Sequence, residues 1–127
     1  MVKGRCDYRA FSFEVEAFSE AVTICHCSQC HRTNGHLWAS THAVFDTVNF
    51  TSDQGLEWYR SSDFAKRGFC KNCGSSLFYR MNDEDGVGVA AGCLDMPTGL
   101  LTGKQIFVKD KGDYYEITEN APQIETY

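Results

Sequence analysis

The chain has 127 residues, 43% of them hydrophobic and 13% aromatic, which is typical of a folded domain and excludes a disordered segment. Its formal net charge of −5 and pI of about 5.3 make nucleic acid a poor candidate partner. No apolar run is long enough to span a membrane and no secretory signal opens the chain, so we expect a cytoplasmic protein without a membrane partner.

Short segments rich in aromatic and β-branched residues follow one another along the chain. Residues 11–15 alternate apolar and polar side chains, which predicts a half-buried strand. Residues 29–32 are predicted to form one helical turn, and polar turns at 52–55 and 82–86 separate later segments. Strands are predicted over 11–15, 21–24, 36–45, 47–51, 56–61, 66–69, 76–80, 87–91, 105–108 and 114–117. The predicted fold class is therefore mainly β, with many short antiparallel strands in a single domain over residues 1–127.

Two clusters of cysteines have the spacing of metal ligands: Cys25, Cys27 and Cys30 in one loop, and Cys70 and Cys73 in another. The second cluster is a Cys-x-x-Cys followed by Gly74, the usual form of a zinc knuckle, because its turn offers two sulfurs to one ion. The first cluster supplies three sulfurs from six residues. Its fourth tetrahedral position is then either left open, as in catalytic sites, or filled from elsewhere, as in structural sites.

Metal binding has to be weighed against other uses of cysteine. A disulfide framework is disfavoured by the odd count of seven cysteines and by the missing secretory signal. Unrelated buried thiols would not produce two such motifs in one short chain. Thiolates are soft ligands, so zinc is favoured over magnesium or calcium, with an iron–sulfur cluster as a minor alternative.

Several motifs together resemble the glutathione-dependent formaldehyde-activating enzyme family, which also includes centromere protein V. They are Gly4-x-Cys6, Cys25-His26-Cys27-x-x-Cys30, Arg67-Gly68-Phe69-Cys70-x-x-Cys73-Gly74-Ser75, Gly92-x-Leu94-Asp95, and the segment from Ile106 to Tyr115. The resemblance implies a mainly β fold around a zinc-ribbon-like core, similar in shape to methionine sulfoxide reductase B.

The resemblance also implies one or two zinc ions per chain. It assigns Cys6, Cys70 and Cys73 to a structural site, and Cys25, Cys27 and Cys30 to a presumed catalytic site. Where the family has a second N-terminal cysteine, this chain has Tyr8. The structural site is then left with three thiolates, and Asp7, a water or Cys93 are the alternatives for its fourth ligand. For Cys93 we favour a plain buried thiol.

A zinc ion held by three thiolates carries one net negative charge, so it polarises water weakly and suits a fourth soft ligand such as a substrate thiol. The family resemblance accordingly implies a zinc-dependent carbon–sulfur lyase. Its substrates would be adducts of glutathione, or of another small thiol, with formaldehyde or a related aldehyde. The alternative is a non-catalytic zinc-binding scaffold or interaction domain.

Glutathione carries two carboxylates, so its site needs cationic partners. Arg32, just past the first cysteine cluster, and Arg67 are the candidates for binding it, although each can also be a solvated surface charge. His26, His31 and His36 flank the cluster and are candidates for a proton shuttle. A structural or surface role is the favoured interpretation for each histidine.

Overall fold

Within the described residues, 1–118 and 120–127 of a computed structural model, ten strands and one α-helix form the framework. The strands are β1 (Val2–Arg5), β2 (Phe11–Val15), β3 (Val22–Cys25), β4 (Trp38–Val44), β5 (Asn49–Asp53), β6 (Leu56–Arg60), β7 (Ala65–Cys70), β8 (Ser76–Met81), β9 (Gly86–Ala90) and β10 (Thr102–Ile106). The helix is α1 (Ser28–Asn34), and single 3₁₀ turns span Phe45–Thr47, Ala91–Cys93 and Val108–Asp110. The mainly β prediction is confirmed.

The strands form two sheets of unequal size. The smaller has the order β1-β2-β5, and the larger has the order β10-β3-β4-β9-β8-β7-β6. Neighbouring strands are antiparallel, as predicted, except that β10 runs parallel to β3. Because β3 lies between β4 and β10, its last residue, Cys25, is held inside the larger sheet and not at an edge.

The main core joins apolar side chains from both sheets. Phe11 and Phe13 on β2 are fully buried and alternate with half-buried neighbours, as the sequence pattern predicts. The rings of Phe11 and Phe78 meet edge to face with their centroids 5.6 Å apart. Burying each such side chain contributes about 1.5–3 kcal/mol, so this cluster is a main source of stability.

Strand β1 was not predicted, because its four residues have no alternating apolar pattern. Its pairing with β2 depends on Gly4, since a Cβ atom at this position would overlap the ring of Phe13. Helix α1 is longer than the single turn predicted at 29–32. It ends at Gly35, which adopts a left-handed φ of 81° and donates its N–H to the carbonyl of His31.

Two predictions near the C-terminus are wrong. The strand predicted at 105–108 begins earlier, at Thr102, and ends at Ile106, because Phe107 has a left-handed φ of 55° that breaks the extended backbone. The strand predicted at 114–117 is a turn followed by irregular chain. Its two tyrosines, Tyr114 and Tyr115, direct their hydroxyls to histidines instead of entering a sheet.

The segment that pairs with β10 on its free edge comes from later in the chain. The backbone N–H of Ile124 donates to the carbonyl of Gln105 at 2.8 Å, and the N–H of Phe107 donates to the carbonyl of Thr126 at 2.9 Å. These bonds cover the unpaired edge that β10 would otherwise present to solvent. The described residues contain no α-helix with the length and hydropathy of a transmembrane segment.

Candidate metal centres

The first cysteine cluster is assembled at the junction of β3 and α1. Cys25 is the last residue of β3, Cys27 is the N-cap of α1, and Cys30 lies in the first turn of the helix. The backbone N–H of Cys30 donates to the sulfur of Cys27 at 3.3 Å, so a thiol takes the place of the usual hydroxyl or carboxylate cap. The three sulfur atoms, here called the first triad, all lie within 4.8 Å of one another.

The first triad is mostly shielded from solvent. Cys25 and Cys30 are buried, whereas Cys27 is partly exposed and gives the triad its open side. The sulfur atoms of Cys27 and Cys30 are 3.0 Å apart. Hydrogen bonding with Cys25 and Cys30 lowers the pKa of Cys27, whereas hydrogen bonding with Cys27 and Cys30 raises the pKa of Cys25. Of the three thiols, Cys27 is therefore the one whose ionised form these hydrogen bonds favour.

A buried cation lies against this triad. Arg67 on β7 is only 9% exposed, and its Nη2 lies 3.7 Å from the sulfur of Cys30. Its Nε and Nη2 also donate to Oε1 of Gln29 at 3.3 and 3.0 Å, and its guanidinium stacks 4.9 Å from the ring of Tyr79. None of the described carboxylates pairs with it. Its positive charge is thus available to balance the thiolates, and it contributes to lowering the pKa of Cys27.

Arg67 and Arg32, the two residues predicted to bind glutathione, lie in different surroundings. The interpretation of Arg67 as a solvated surface charge is wrong, since its side chain is buried. Arg32 is exposed on α1, and its side chain forms no hydrogen bond or ion pair with any residue the structure describes. Its proposed role in binding glutathione stays a prediction.

The three histidines are held by hydrogen bonds. His26 is 2% exposed, and its Nε2 lies 2.6 Å from Oε1 of Gln105. An amide oxygen can only accept, so Nε2 carries a proton, and Nδ1 of a neutral ring then accepts from the Tyr115 hydroxyl at 2.7 Å. His31 lies with both ring nitrogens against backbone carbonyls, and His36 bonds the hydroxyl of Tyr114. This geometry favours a structural role for each ring.

The second centre joins residues far apart in the chain. Cys6 follows β1, Cys70 ends β7, and Cys73 lies in the turn before β8. Their sulfur atoms, here called the second triad, also lie within 4.8 Å of one another. The turn is closed by Gly74, which adopts a φ of 79° and donates its N–H to the carbonyl of Cys70 at 2.7 Å. Glycine adopts a positive φ without steric cost because it has no Cβ atom.

The second triad has one exposed sulfur. Cys6 and Cys70 are fully buried, but Cys73 faces solvent. Burial opposes ionisation of Cys73, but hydrogen bonds from the Ser75 hydroxyl and from the backbone of Tyr8 and Ser75 outweigh it and lower its pKa to about 6. The Ser75 oxygen lies 3.1 Å from the Cys73 sulfur and accepts the backbone N–H of Asp7 at 3.1 Å.

The alternatives for the fourth ligand of the second triad can now be examined. Among the described residues, neither the carboxylate of Asp7 nor the thiol of Cys93 belongs to the group of ligand atoms within 4.8 Å. Tyr8 is 71% exposed. Cys93 instead donates its thiol to the carbonyl of Ala90 at 3.0 Å, and burial raises its pKa to about 12. It has the surroundings of a packed, inert thiol.

Both triads suit zinc in their donor chemistry. Each offers three soft sulfur ligands at a spacing that one ion can bridge, which matches zinc better than a hard cation. They differ in what surrounds them. The first triad has a buried guanidinium beside it, whereas the second lies next to backbone N–H groups, a serine and solvent.

Sequence reasoning missed three polar residues that position these sites: Gln29, Gln105 and Ser75. Gln29 holds Arg67 against the first triad, and its Nε2 donates to the carbonyl of Ser61 at 2.9 Å. Gln105 is 1% exposed and fixes His26. A glutamine that directly precedes two apolar residues, Ile106 and Phe107, in a predicted strand is the one signal that could have identified Gln105 as a buried polar partner.

A mainly β fold with two triads of cysteine sulfurs defines a class of protein with two thiol clusters that could each hold a metal ion. The model of the glutathione-dependent formaldehyde-activating enzyme family matches residues 1–110, and the chain therefore belongs to this family.

Two known proteins are similar to this chain. The chain is similar to an uncharacterized lyase of Schizosaccharomyces pombe, with 24% identity over 124 residues that cover 94% of this chain and 87% of the relative. It is also similar to the crystal structure of a Rhodobacter sphaeroides protein solved as a structural genomics target. That match has 25% identity and a TM-score of 0.62, and covers 74% of this chain and 88% of the other.

Proposed function

We propose that this protein is a zinc-dependent carbon–sulfur lyase that acts on adducts of a small thiol, such as glutathione, with formaldehyde or a related aldehyde. The observation that carries the proposal is the first triad, in which two buried cysteines and one partly exposed cysteine converge beside a guanidinium that pairs with none of the described carboxylates. Membership of the family and the name of the S. pombe relative support assignment as an enzyme.

Zinc bound by Cys25, Cys27 and Cys30 would supply the Lewis acidity that ionises an incoming thiol at neutral pH. In the synthetic direction, the thiolate sulfur attacks the aldehyde carbon, a carbon–sulfur bond forms, and the carbonyl π electrons move to oxygen. The oxygen then takes up the proton that the thiol released, giving a hemithioacetal. The lyase direction reverses these steps, so the carbon–sulfur bond breaks and the hydroxyl proton returns to the thiol.

This chain's own residues provide three things for that reaction. Trp38, Ile106 and Phe107 pack around Cys25 and Cys30 and exclude water from one side of the triad. The partly exposed Cys27 leaves an approach from the other side. The guanidinium of Arg67 compensates the negative charge of the cysteine sulfurs. This lowers the electrostatic cost of placing a substrate thiolate beside them.

The alternative function is a non-catalytic zinc-binding scaffold. It is favoured by one observation: both ring nitrogens of His26 and both ring nitrogens of His31 are bonded to protein, so neither imidazole has a free nitrogen for proton transfer. In the lyase proposal, water at the exposed side of Cys27 carries the proton. We further propose a cytoplasmic location, small thiols and aldehyde adducts as partners, and no nucleic acid or membrane partner.

The test is a titration of the zinc-loaded protein with glutathione and other small thiols, followed by X-ray absorption at the zinc edge. We expect sulfur coordination of the ion in the first triad to increase, and turnover of the glutathione–formaldehyde adduct to be measurable. Cys27→Ala should abolish turnover while keeping the fold. An unchanged metal signal with every thiol, or global unfolding of Cys27→Ala with loss of its metal, would favour the scaffold.

A further inference from the structure

Tyr79 on β8 lies beside the first triad. It is partly buried and packs, together with Cys27, against the buried residues around Cys25 and Cys30. In the cross-strand register it stands directly opposite Arg67, so both side chains lie on the same face of the larger sheet. The guanidinium of Arg67 stacks on the tyrosine ring at 4.9 Å and holds it in place next to the triad. The chemistry proposed above makes no use of the tyrosine hydroxyl.

The hydroxyl of Tyr79 forms no hydrogen bond with any residue that the structure describes. Since none of the described side chains buries a polar atom without a partner, the hydroxyl oxygen must be reached by solvent. Burial raises the pKa of Tyr79, the guanidinium of Arg67 opposes this rise, and thiolate charge on the three cysteines of the first triad adds to it. The hydroxyl itself therefore lies within the electrostatic field of the triad, as a neutral donor that can exchange water for a substrate oxygen.

The sheet leaves space next to the ring of Tyr79. On the side away from Arg67, the residue directly opposite Tyr79 is Gly88 on β9, which has no side chain. A Cβ atom at position 88 would have only ordinary contacts, at 3.5 Å or more, and the nearest polar side-chain atom would be the Ser40 hydroxyl at 3.8 Å. A group of about one carbon atom, such as formaldehyde, can therefore approach beside this ring without displacing a side chain.

We infer that the hydroxyl of Tyr79 donates a hydrogen bond to the substrate oxygen, the atom on which negative charge develops during the reaction. This inference rests on the proposed function, because Tyr79 acts within that reaction. In the synthetic direction, the sulfur attacks the carbonyl carbon and the π electrons move to the oxygen that Tyr79 holds. In the lyase direction, the same hydrogen bond stabilises the oxygen as its proton leaves to water and the carbon–sulfur bond breaks. The phenol keeps its own proton throughout, so water still carries the proton between oxygen and sulfur.

The experiment compares Tyr79→Phe with the unmodified protein, both loaded with zinc. Phenylalanine keeps the ring on which Arg67 stacks and removes only the hydroxyl. We expect kcat for cleavage of the glutathione–formaldehyde adduct to fall about a hundredfold or more, as when one donor to a developing oxyanion is removed, with KM little changed. Ethanethiol brings no reacting oxygen. Its binding to the Co²⁺-loaded protein, followed by visible absorption, should therefore half-saturate at the same concentration in both proteins.

Tyr59→Phe is the matched control. Tyr59 on β6 is the other tyrosine directly opposite Arg67, but it is 55% exposed and is not among the described residues that pack against the first triad. This variant should keep the kcat of the unmodified protein. An unchanged kcat in Tyr79→Phe would overturn the inference and leave the lyase proposal standing. An equal loss of turnover and of ethanethiol binding would also overturn it, because Tyr79 would then only support the triad. No turnover by the unmodified protein would overturn the proposed function, and the inference with it.

Discussion

The hydroxyl of Tyr115 lies 2.7 Å from Nδ1 of His26 and also accepts the backbone N–H of Gly112 at 3.2 Å. This relationship ties the irregular segment after β10 to the middle of the first cysteine cluster. The side chain of Lys111 strengthens it by donating to the carbonyl of Tyr115 at 2.7 Å. The loop that carries Cys25 and Cys27 is therefore fixed by Gln105 and Tyr115, which follow His26 in the chain by 79 and 89 positions.

Removing the hydroxyl of Tyr115 should destabilise the folded protein. In Tyr115→Phe, Nδ1 of the buried His26 loses its donor, and we expect the free energy of unfolding to fall by about 1–3 kcal/mol. Tyr114→Phe is the control, because Tyr114 is 64% exposed and water can replace its bond to His36. Chemical denaturation of the two variants measures the difference. Equal stability of both would show that the bond to His26 contributes nothing.

Much of the fold could be predicted from local pattern, as β2 shows, since its alternating apolar residues are the buried ones. The parallel pairing of β10 with β3 could not be predicted, because it joins segments about 80 residues apart and no local sequence pattern indicates it. The strand predicted at 114–117 was wrong for a related reason. Tyrosines are common in strands, but here their hydroxyls are used by histidines that are distant in sequence.

The candidate sites could be predicted where the spacing of their residues in the sequence is typical of metal ligands. Cys25, Cys27 and Cys30 come from one loop, so their meeting followed from the sequence. The contact between Arg67 and Cys30 could not be predicted, because a lone arginine in a strand gives no sign of whether it faces solvent or a buried thiolate. Only the register of β7 against β6 and β8 places it there.

The close approach of Gly55 to Cys70 gives a second prediction. A Cβ atom at position 55 would lie 2.7 Å from the sulfur of Cys70 and 3.1 Å from Cβ of Ala10. Gly55→Ala should displace this sulfur, lower the free energy of unfolding by about 1–3 kcal/mol and remove one equivalent of metal. Gly92→Ala is the control, because a Cβ there meets nothing within 4 Å. Metal analysis after dialysis provides the comparison, and full metal content in Gly55→Ala would contradict the prediction.

Thiol reactivity in the chelator-treated protein should depend on pH differently for Cys73 and Cys93. Hydrogen bonds lower the pKa of Cys73 from 9.0 to about 6, so its thiolate persists, and alkylation should stay fast, down to about pH 6. The stabilisation that this thiolate gives the folded state is complete above pH 9 and is lost as the pH falls through 6. Burial raises the pKa of Cys93 to about 12, so it should react little below pH 10. Alkylation followed by peptide mass spectrometry measures both midpoints, and a Cys73 midpoint at 8 or above would refute the assignment.

Tyr8 gives the last prediction, because it stands where the family resemblance expects a fourth thiolate for the second triad. Its side chain is 71% exposed, while backbone hydrogen bonding places residue 8 next to Cys73. Tyr8→Cys should therefore add a fourth sulfur and raise the affinity of the second triad for zinc by about tenfold or more, since even outer-shell changes alter metal affinity by that factor. Competition with a chromogenic chelator measures this affinity. Tyr8→Ser removes the same ring without adding a sulfur, so it should leave the affinity close to that of the unmodified protein. A gain in affinity with serine as large as that with cysteine would mean that removal of the tyrosine ring, and not a fourth thiolate, is responsible.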